Sequence, residues 1–362
     1  MIEIDLKNYF CEHPFIYSEF HRKFTNNVSE ETQFLCCPDW NNVNIRVSEN
    51  LTENWESEEA KKVRDGHLSG NFIGCNSINC PHYNTLINTG KLSGSIRPIS
   101  EFDSERYNIK GPRRIKICSD DACNFHCPSC RTEIYPNTEE KTVRTNKLLD
   151  SITEYYGPTL KEIYLSGGGE PFYSIPIRDF FKNLKKEDFP SLDTIIIHTN
   201  ASLWNEKLWS QMTAIHPYVK MVEMSIDAST KDTYENKTRL GGKWDILMSN
   251  LEFISNIETI ETIIFSFVVQ QNNFREMNSF VLLINNLFKD KVIKTVIQFQ
   301  KIVQWPSISD ERYKKMKIWE TSNTEYHDFV KELEKIKIYK NVMHNLNEHK
   351  LDEKKINEKK LI

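Results

Sequence analysis

Between residues 112 and 305, short apolar runs alternate with longer amphipathic ones. Arg114–Cys118, Glu162–Ser166, Thr194–His198, Met221–Ile226, Ile263–Val269 and Val296–Ile302 are brief and rich in β-branched or aromatic residues, which predicts strands. Thr145–Tyr156, Ile177–Leu184 and Phe274–Phe288 space their apolar residues as helices do. Such alternation predicts β/α units around a parallel sheet, hence an α/β fold. Six units suit a partial (β/α)6 barrel, although a strand count alone does not separate that from a doubly wound sheet.

The pattern changes on both sides of this core. Residues 1–111 have few long apolar runs, and predict a small, irregular domain with a charge-rich helix near Glu58–Arg64. Such a domain gains from a metal staple. Beyond Trp305 the chain turns helical and charged, and Asn347–Ile362 reads as a solvated tail. The expected division is therefore 1–111, 112–305 and 306–362.

Charge narrows the class of partner. With 47 basic and 51 acidic side chains and a net charge of −4, no global positive field attracts nucleic acid. The N-terminus lacks the apolar run of a signal peptide, and the most apolar stretch, Thr262–Val269, is too short to span a bilayer. A soluble, cytoplasmic protein is expected.

In such a compartment, nine cysteines speak for metal or catalysis rather than disulfides. The sharpest signal is Cys123-Asn-Phe-His-Cys127-Pro-Ser-Cys130, directly after the first core strand. Three thiolates in this spacing can hold three irons of a [4Fe–4S] cube and leave the fourth open. A zinc knuckle completed by Cys118 is the competing reading. Downstream, Leu165-Ser-Gly-Gly-Gly-Glu-Pro-Phe172 follows the second strand, His198-Thr-Asn200 ends the third, and Ser225-Ile-Asp227 ends the fourth.

Taken together, these segments resemble the radical S-adenosylmethionine (radical SAM) superfamily over about residues 112–305. The resemblance implies a partial (β/α)6 TIM-like barrel and SAM bound at the open iron. It also implies reductive SAM cleavage and hydrogen-atom abstraction from a substrate. Implied SAM contacts are Gly168, Gly169 and Glu170 for the amino group, with Asn200, Ser225 and Asp227 for the carboxylate and ribose. Arg239 is a candidate carboxylate clamp. A polar residue of Val268-Val-Gln-Gln-Asn272-Asn273 is also expected to face SAM. One departure concerns Ser129, where the family usually has an aromatic residue before the third cysteine.

Leu35-Cys-Cys-Pro-Asp-Trp40 and Cys75-Asn-Ser-Ile-Asn-Cys80 form a second cysteine-rich pattern. It resembles the SPASM or twitch modules that carry an auxiliary [4Fe–4S] cluster, although those modules generally follow the barrel. Cys37, Cys75 and Cys80 are the preferred ligands, with Cys36 the simplest fourth; structural zinc is the alternative. Cys118 reads as a hydrogen-atom donor, a ligand or a buried strand-end residue. The SPASM resemblance implies a peptide or protein substrate (maturation, crosslinking or epimerisation) and a low-potential donor such as flavodoxin or ferredoxin. Dehydrogenation or epimerisation of a sugar is the runner-up, and a non-catalytic metal-stabilised binding protein is a distant third. An RNA substrate lacks the basic stripe it needs.

Overall fold

The computed structural model describes residues 4–25, 28–107, 109–165, 168–305 and 307–346. Its described residues fall into two compact units, one within 1–121, 138–169 and 175–195, the other within 122–137, 170–174 and 196–362.

The first unit holds β1 (Tyr9–Cys11), β2 (Tyr17–Thr25), β3 (Val28–Phe34), β4 (Asn44–Arg46), β5 (Ile96–Pro98), β6 (Arg114–Ile117) and β7 (Glu162–Leu165). Its main sheet runs β7-β6-β2-β3-β4, and β1 pairs with β5 alone. β6 is parallel to both β7 and β2, with Ile117 opposite Leu165 and Phe20; β2 and β3 form an antiparallel pair. Ile115, Ile117, Ile163 and Leu165 are fully buried at alternate positions, as a strand packed on its neighbours requires. The N-terminal block is thus less irregular than its sequence suggests, because β2, β3 and β4 extend the sheet. Buried polar side chains hide the pattern: Gln33 donates from Nε2 to Ser18 Oγ (2.7 Å) and to the Tyr156 hydroxyl (2.9 Å). The expected charge-rich helix spans Glu58–Leu68, capped by Ser57. Its Arg64 lies 4.1 Å over the Trp55 ring and donates to the carbonyls of Trp55 and Pro14.

The second unit takes most of β8 (Thr194–Thr199), then β9 (Val219–Ser225), β10 (Thr262–Val269), β11 (Lys294–Lys301) and β12 (Val342–His344), in the order β12-β11-β10-β9-β8. The pairs β9–β10, β10–β11 and β11–β12 are parallel. Ile263, Phe265, Phe267 and Val269 of β10 are all fully buried, so this strand is central to the core. All six strands expected from the pattern are present, and the fold is mixed α/β with largely parallel pairing. Past residue 305 the chain forms the helices Asp310–Met316 and Tyr326–Ile336, then adds β12, which the charged sequence did not announce. The Tyr326–Ile336 helix buries Phe329, Leu333 and Ile336, one apolar stripe. The expected tail helix over 347–362 lies outside the described residues. Among the described residues, no helix is long and apolar enough to cross a membrane.

Candidate active site

The loop after β6 carries Cys123, Cys127 and Cys130, and the second unit fastens it from several sides. Cys123 N–H donates to Tyr135 O (2.8 Å), while Cys130 and Arg131 N–H both donate to Cys127 O (2.9 and 3.0 Å). His126 N–H donates to Leu240 O (3.1 Å), and Ser307 Oγ to Cys130 O (2.8 Å). Cys123 and Cys127 are buried and Cys130 is half-buried. Burial pushes the Cys123 thiol up to about 12, against the pull of Arg131, and raises Cys127 as well. The three sulfurs do not lie within 4.8 Å of one another. One tetrahedral zinc, with bonds of about 2.3 Å, would hold sulfurs about 3.8 Å apart. Thiols on separate irons of a cluster stand farther apart.

Arg239 reaches this loop from behind. Its guanidinium lies 2.7 Å from Asp227 Oδ2 and donates to Cys127 Sγ at 3.7 Å. Asp227 follows β9 in the left-handed region (φ 58°) and is 1% exposed. Its Oδ1 accepts from Val268 N–H (2.6 Å), while Asn273 Nδ2 donates to its carbonyl (3.0 Å). Burial raises the Asp227 carboxyl, and Arg239 opposes that shift. Nearby, the fully buried Tyr234 hydroxyl and both amide atoms of Gln270, 1% exposed, have no hydrogen-bond partner. Orphaned buried polar groups of this kind fit a polar ligand. Gln270 belongs to the segment expected to face SAM. Tyr234 had no motif to announce it.

Glu170 is a hub rather than a free acid. Oε1 accepts from Thr199 Oγ1 (2.6 Å) and Phe172 N–H (3.1 Å), and Oε2 accepts from Asn200 N–H (2.6 Å). Oε2 keeps capacity for one further donor. Asn200 donates from Nδ2 to Asn124 Oδ1 (3.0 Å) and accepts from Ser202, which ties the end of β8 to the cysteine loop. Ser225 Oγ lies 2.8 Å from His198 Nε2. In the first unit, a Cβ on Gly168 would stand 2.5 Å from the carbonyl oxygens of Cys118 and Asp120, so only glycine allows that approach. Phe125 is 1% exposed and packs edge-on against Tyr234, so it serves the core and does not replace the ring missing at Ser129.

Burial pushes Glu170 up to about 7, although its three hydrogen bonds favour the carboxylate. An ionised Glu170 accepts an amino N–H; a protonated one loses that capacity in part. SAM affinity, measured by calorimetry on the anaerobic protein, is therefore expected to rise as pH increases from 6 to 8. Loss of a charge-assisted bond of about 1.5–3 kcal/mol corresponds to about tenfold or more. Glu170→Gln should flatten the profile; an unchanged slope in that variant would assign the titration elsewhere.

The cysteines expected to form the second site fall in the first unit. Cys36, Cys75 and Cys80 line one cavity, where they are joined by Cys11. Cys37 is not among the lining residues; the charged groups acting on it are Glu19, Asp39 and Lys116. Cys118 faces Glu19 (Sγ to Oε1 3.8 Å), within an acid–base group absent from the sequence reading. Glu19, 1% exposed, also accepts from the Tyr17 hydroxyl (2.7 Å) and lies 2.7 Å from His21 Nε2 and 3.3 Å from Lys116. Burial opposes its charge, yet His21, Lys116 and Tyr17 hold Glu19 below the usual carboxylate range. The alternation of β2 and β6 is the signal that could have found this group: Tyr17, Glu19 and His21 share one face, as do Lys116 and Cys118.

Residues 119–284 match the sequence profile of the Radical SAM superfamily. Over these residues, a little under half of its length, the chain carries a Radical SAM superfamily domain. Its largely parallel sheet is the kind typical of the radical SAM partial barrel, and the match implies a [4Fe–4S] cluster and SAM. No curated protein matches the chain. Among solved structures, SuiB from Streptococcus suis bound to S-adenosylmethionine is 11% identical with a TM-score of 0.44, over 90% of this chain and 72% of that one. The enzyme anSMEcpe with bound AdoMet and the Cp18Cys peptide is 20% identical with a TM-score of 0.40, over 61% of this chain and 57% of that one. TYW1 with a lysine-pyruvate adduct is 14% identical with a TM-score of 0.36, over 64% and 76%. At these scores the likenesses are loose. Within the radical SAM domain, three thiols, two of them buried, beside an Arg239–Asp227 pair and two orphaned polar groups fit the implied cofactors.

Proposed function

We propose that this radical SAM enzyme abstracts hydrogen from a peptide or protein, with Cys123, Cys127 and Cys130 as the cluster ligands. When bound, the cluster would supply the electron for reductive SAM cleavage, the chemistry that would make hydrogen abstraction from substrate possible. The single observation that carries the site is the Arg239–Asp227 pair, with Arg239 donating to Cys127 Sγ. Asp227 and Ser225 bind the ribose hydroxyls and carboxylate of SAM, Gly168 and Gly169 let its amino group approach the backbone, and Glu170 accepts from that group. Asn200 orients the cysteine loop through Asn124. The peptide reading rests on the SPASM-like spacing of the N-terminal cysteines. SuiB and anSMEcpe have been solved with a precursor peptide and a Cys-containing peptide respectively. Residues 1–111 then serve as an auxiliary module, 112–305 as the catalytic core and 306–362 as an extension, with a flavodoxin or ferredoxin as electron donor.

The test follows the hydrogen atom. Anaerobic enzyme, SAM and dithionite are incubated with a tryptic digest of a perdeuterated proteome and, in parallel, with perdeuterated sugar phosphates. Deuterium appearing in 5′-deoxyadenosine from the digest is the expected result. Deuterium from the sugar phosphates alone would overturn the peptide reading.

A further inference from the structure

Four thiols far apart in sequence line a single cavity of the first unit: Cys11, Cys36, Cys75 and Cys80. Each arrives on a different piece of chain. Cys11 ends β1, held opposite Ile96 of β5. Cys36 follows β3, and Cys75 is bridged to Asn41. Cys80 caps the nine-residue helix Pro81–Thr89, its sulfur accepting from Tyr83 N–H at 3.4 Å. Cys11 and Cys37 are thereby exchanged relative to the sequence expectation. The pairing of β1 with β5, which no local motif encodes, brings Cys11 in.

Polar side chains reach two of the four sulfurs. Asn41 Nδ2 donates to Cys75 Sγ at 3.4 Å; His67 Nε2 lies 3.5 Å from that sulfur, and His13 Nδ1 lies 3.5 Å from Cys36 Sγ. His67 is 1% exposed and its Nδ1 has no partner. Phe72, Ile96 and Pro14 supply apolar walls. All four cysteines are free of disulfides.

Four thiolates suit either a zinc ion or a cube of four irons. No three of the four sulfurs lie within 4.8 Å of one another, the same relation found for Cys123, Cys127 and Cys130. One zinc would gather them to about 3.8 Å, given bonds of about 2.3 Å. A cube of four irons spreads its ligands, because each sulfur sits on a separate iron. We propose that Cys11, Cys36, Cys75 and Cys80 together hold a second [4Fe–4S] cluster. This deepens the auxiliary-module reading by naming a full ligand set. With four protein thiolates the cluster has no open iron, so it does not ligate substrate.

The experiment uses the full chain carrying Cys123→Ala, Cys127→Ala and Cys130→Ala, reconstituted anaerobically and assayed for iron, zinc and the visible spectrum of the cluster. About four irons per chain are expected. Adding Cys11→Ser or Cys80→Ser should lower iron at least fourfold, whereas adding Cys37→Ser should leave it unchanged. Circular dichroism accompanies each variant, and the two serine replacements guard against one that fails to fold. Near-zero iron in the triple variant, about one zinc in its place, or iron lost with Cys37→Ser but kept with Cys11→Ser would each overturn the proposal. Failure of SAM cleavage by the unmodified enzyme would sink the catalytic reading instead, and leaves these metal counts untouched.

Discussion

Cys127→Ala is expected to drop 5′-deoxyadenosine production to background, at least about a thousandfold, or about 4 kcal/mol on the barrier. Cys127 is the middle thiol of the loop and the one that Arg239 touches, with its carbonyl closing the turn onto Cys130 and Arg131. Two thiols cannot replace three around the same cluster, and Cys127 is the most buried of the trio, 6% exposed against 9% for Cys123. The turn itself is built from backbone bonds, so alanine should preserve it. Circular dichroism is therefore expected to match the unmodified protein while iron falls. Cys118→Ala is the control, since Cys118 engages Glu19 and is not proposed as a cluster ligand. The assay is anaerobic SAM cleavage with dithionite, read by chromatography. Cleavage that persists in Cys127→Ala would remove this loop from the chemistry.

Much of the core is legible because its strands are short, apolar and separated by helices of helical period. The six strands between Arg114 and Lys301 declare themselves in this way. β2 and β3 do not, because Ser18, Glu19 and Gln33 are buried polar residues, and Ser18 and Gln33 find partners far along the chain. Local pattern reads apolar burial and is blind to polar burial that tertiary hydrogen bonds stabilise. The same blindness affects the sites. Cysteine spacing reveals Cys123, Cys127 and Cys130, which are close in sequence. It does not show that Cys11, placed by the β1–β5 register, lines the cavity of Cys36, Cys75 and Cys80, nor that Cys37 does not line it. Arg239 was nominated as a clamp for a ligand carboxylate, yet its nearest carboxylate is Asp227 of this chain. That pairing gives Arg239 a structural role beside the cofactor-facing one proposed for it.

Arg239→Met should accordingly destabilise the apo protein by about 3–5 kcal/mol, the usual cost of stripping one partner from a buried ion pair. Asp227 is 1% exposed and would keep the Val268 amide as a donor but lose its countercharge. Burial already raises the Asp227 carboxyl above its ordinary 3.8, and Arg239 restrains it. Without Arg239 the folded-state value climbs further. A raised acid is unpenalised below its unfolded value and costs stability as pH rises through the folded one. The variant's deficit should thus grow from pH 4 upward and be largest at alkaline pH. Asp227→Asn in the same chain removes the stranded charge, and the double variant is expected to recover a substantial part of the loss. It should not recover SAM affinity, because the carboxylate proposed to face the ribose is gone. Urea denaturation across pH, with SAM calorimetry beside it, separates the two effects. If Arg239→Met unfolds within about 1 kcal/mol of the unmodified protein at pH 8, the pair is too well solvated to matter and its cost cannot be that of a buried one.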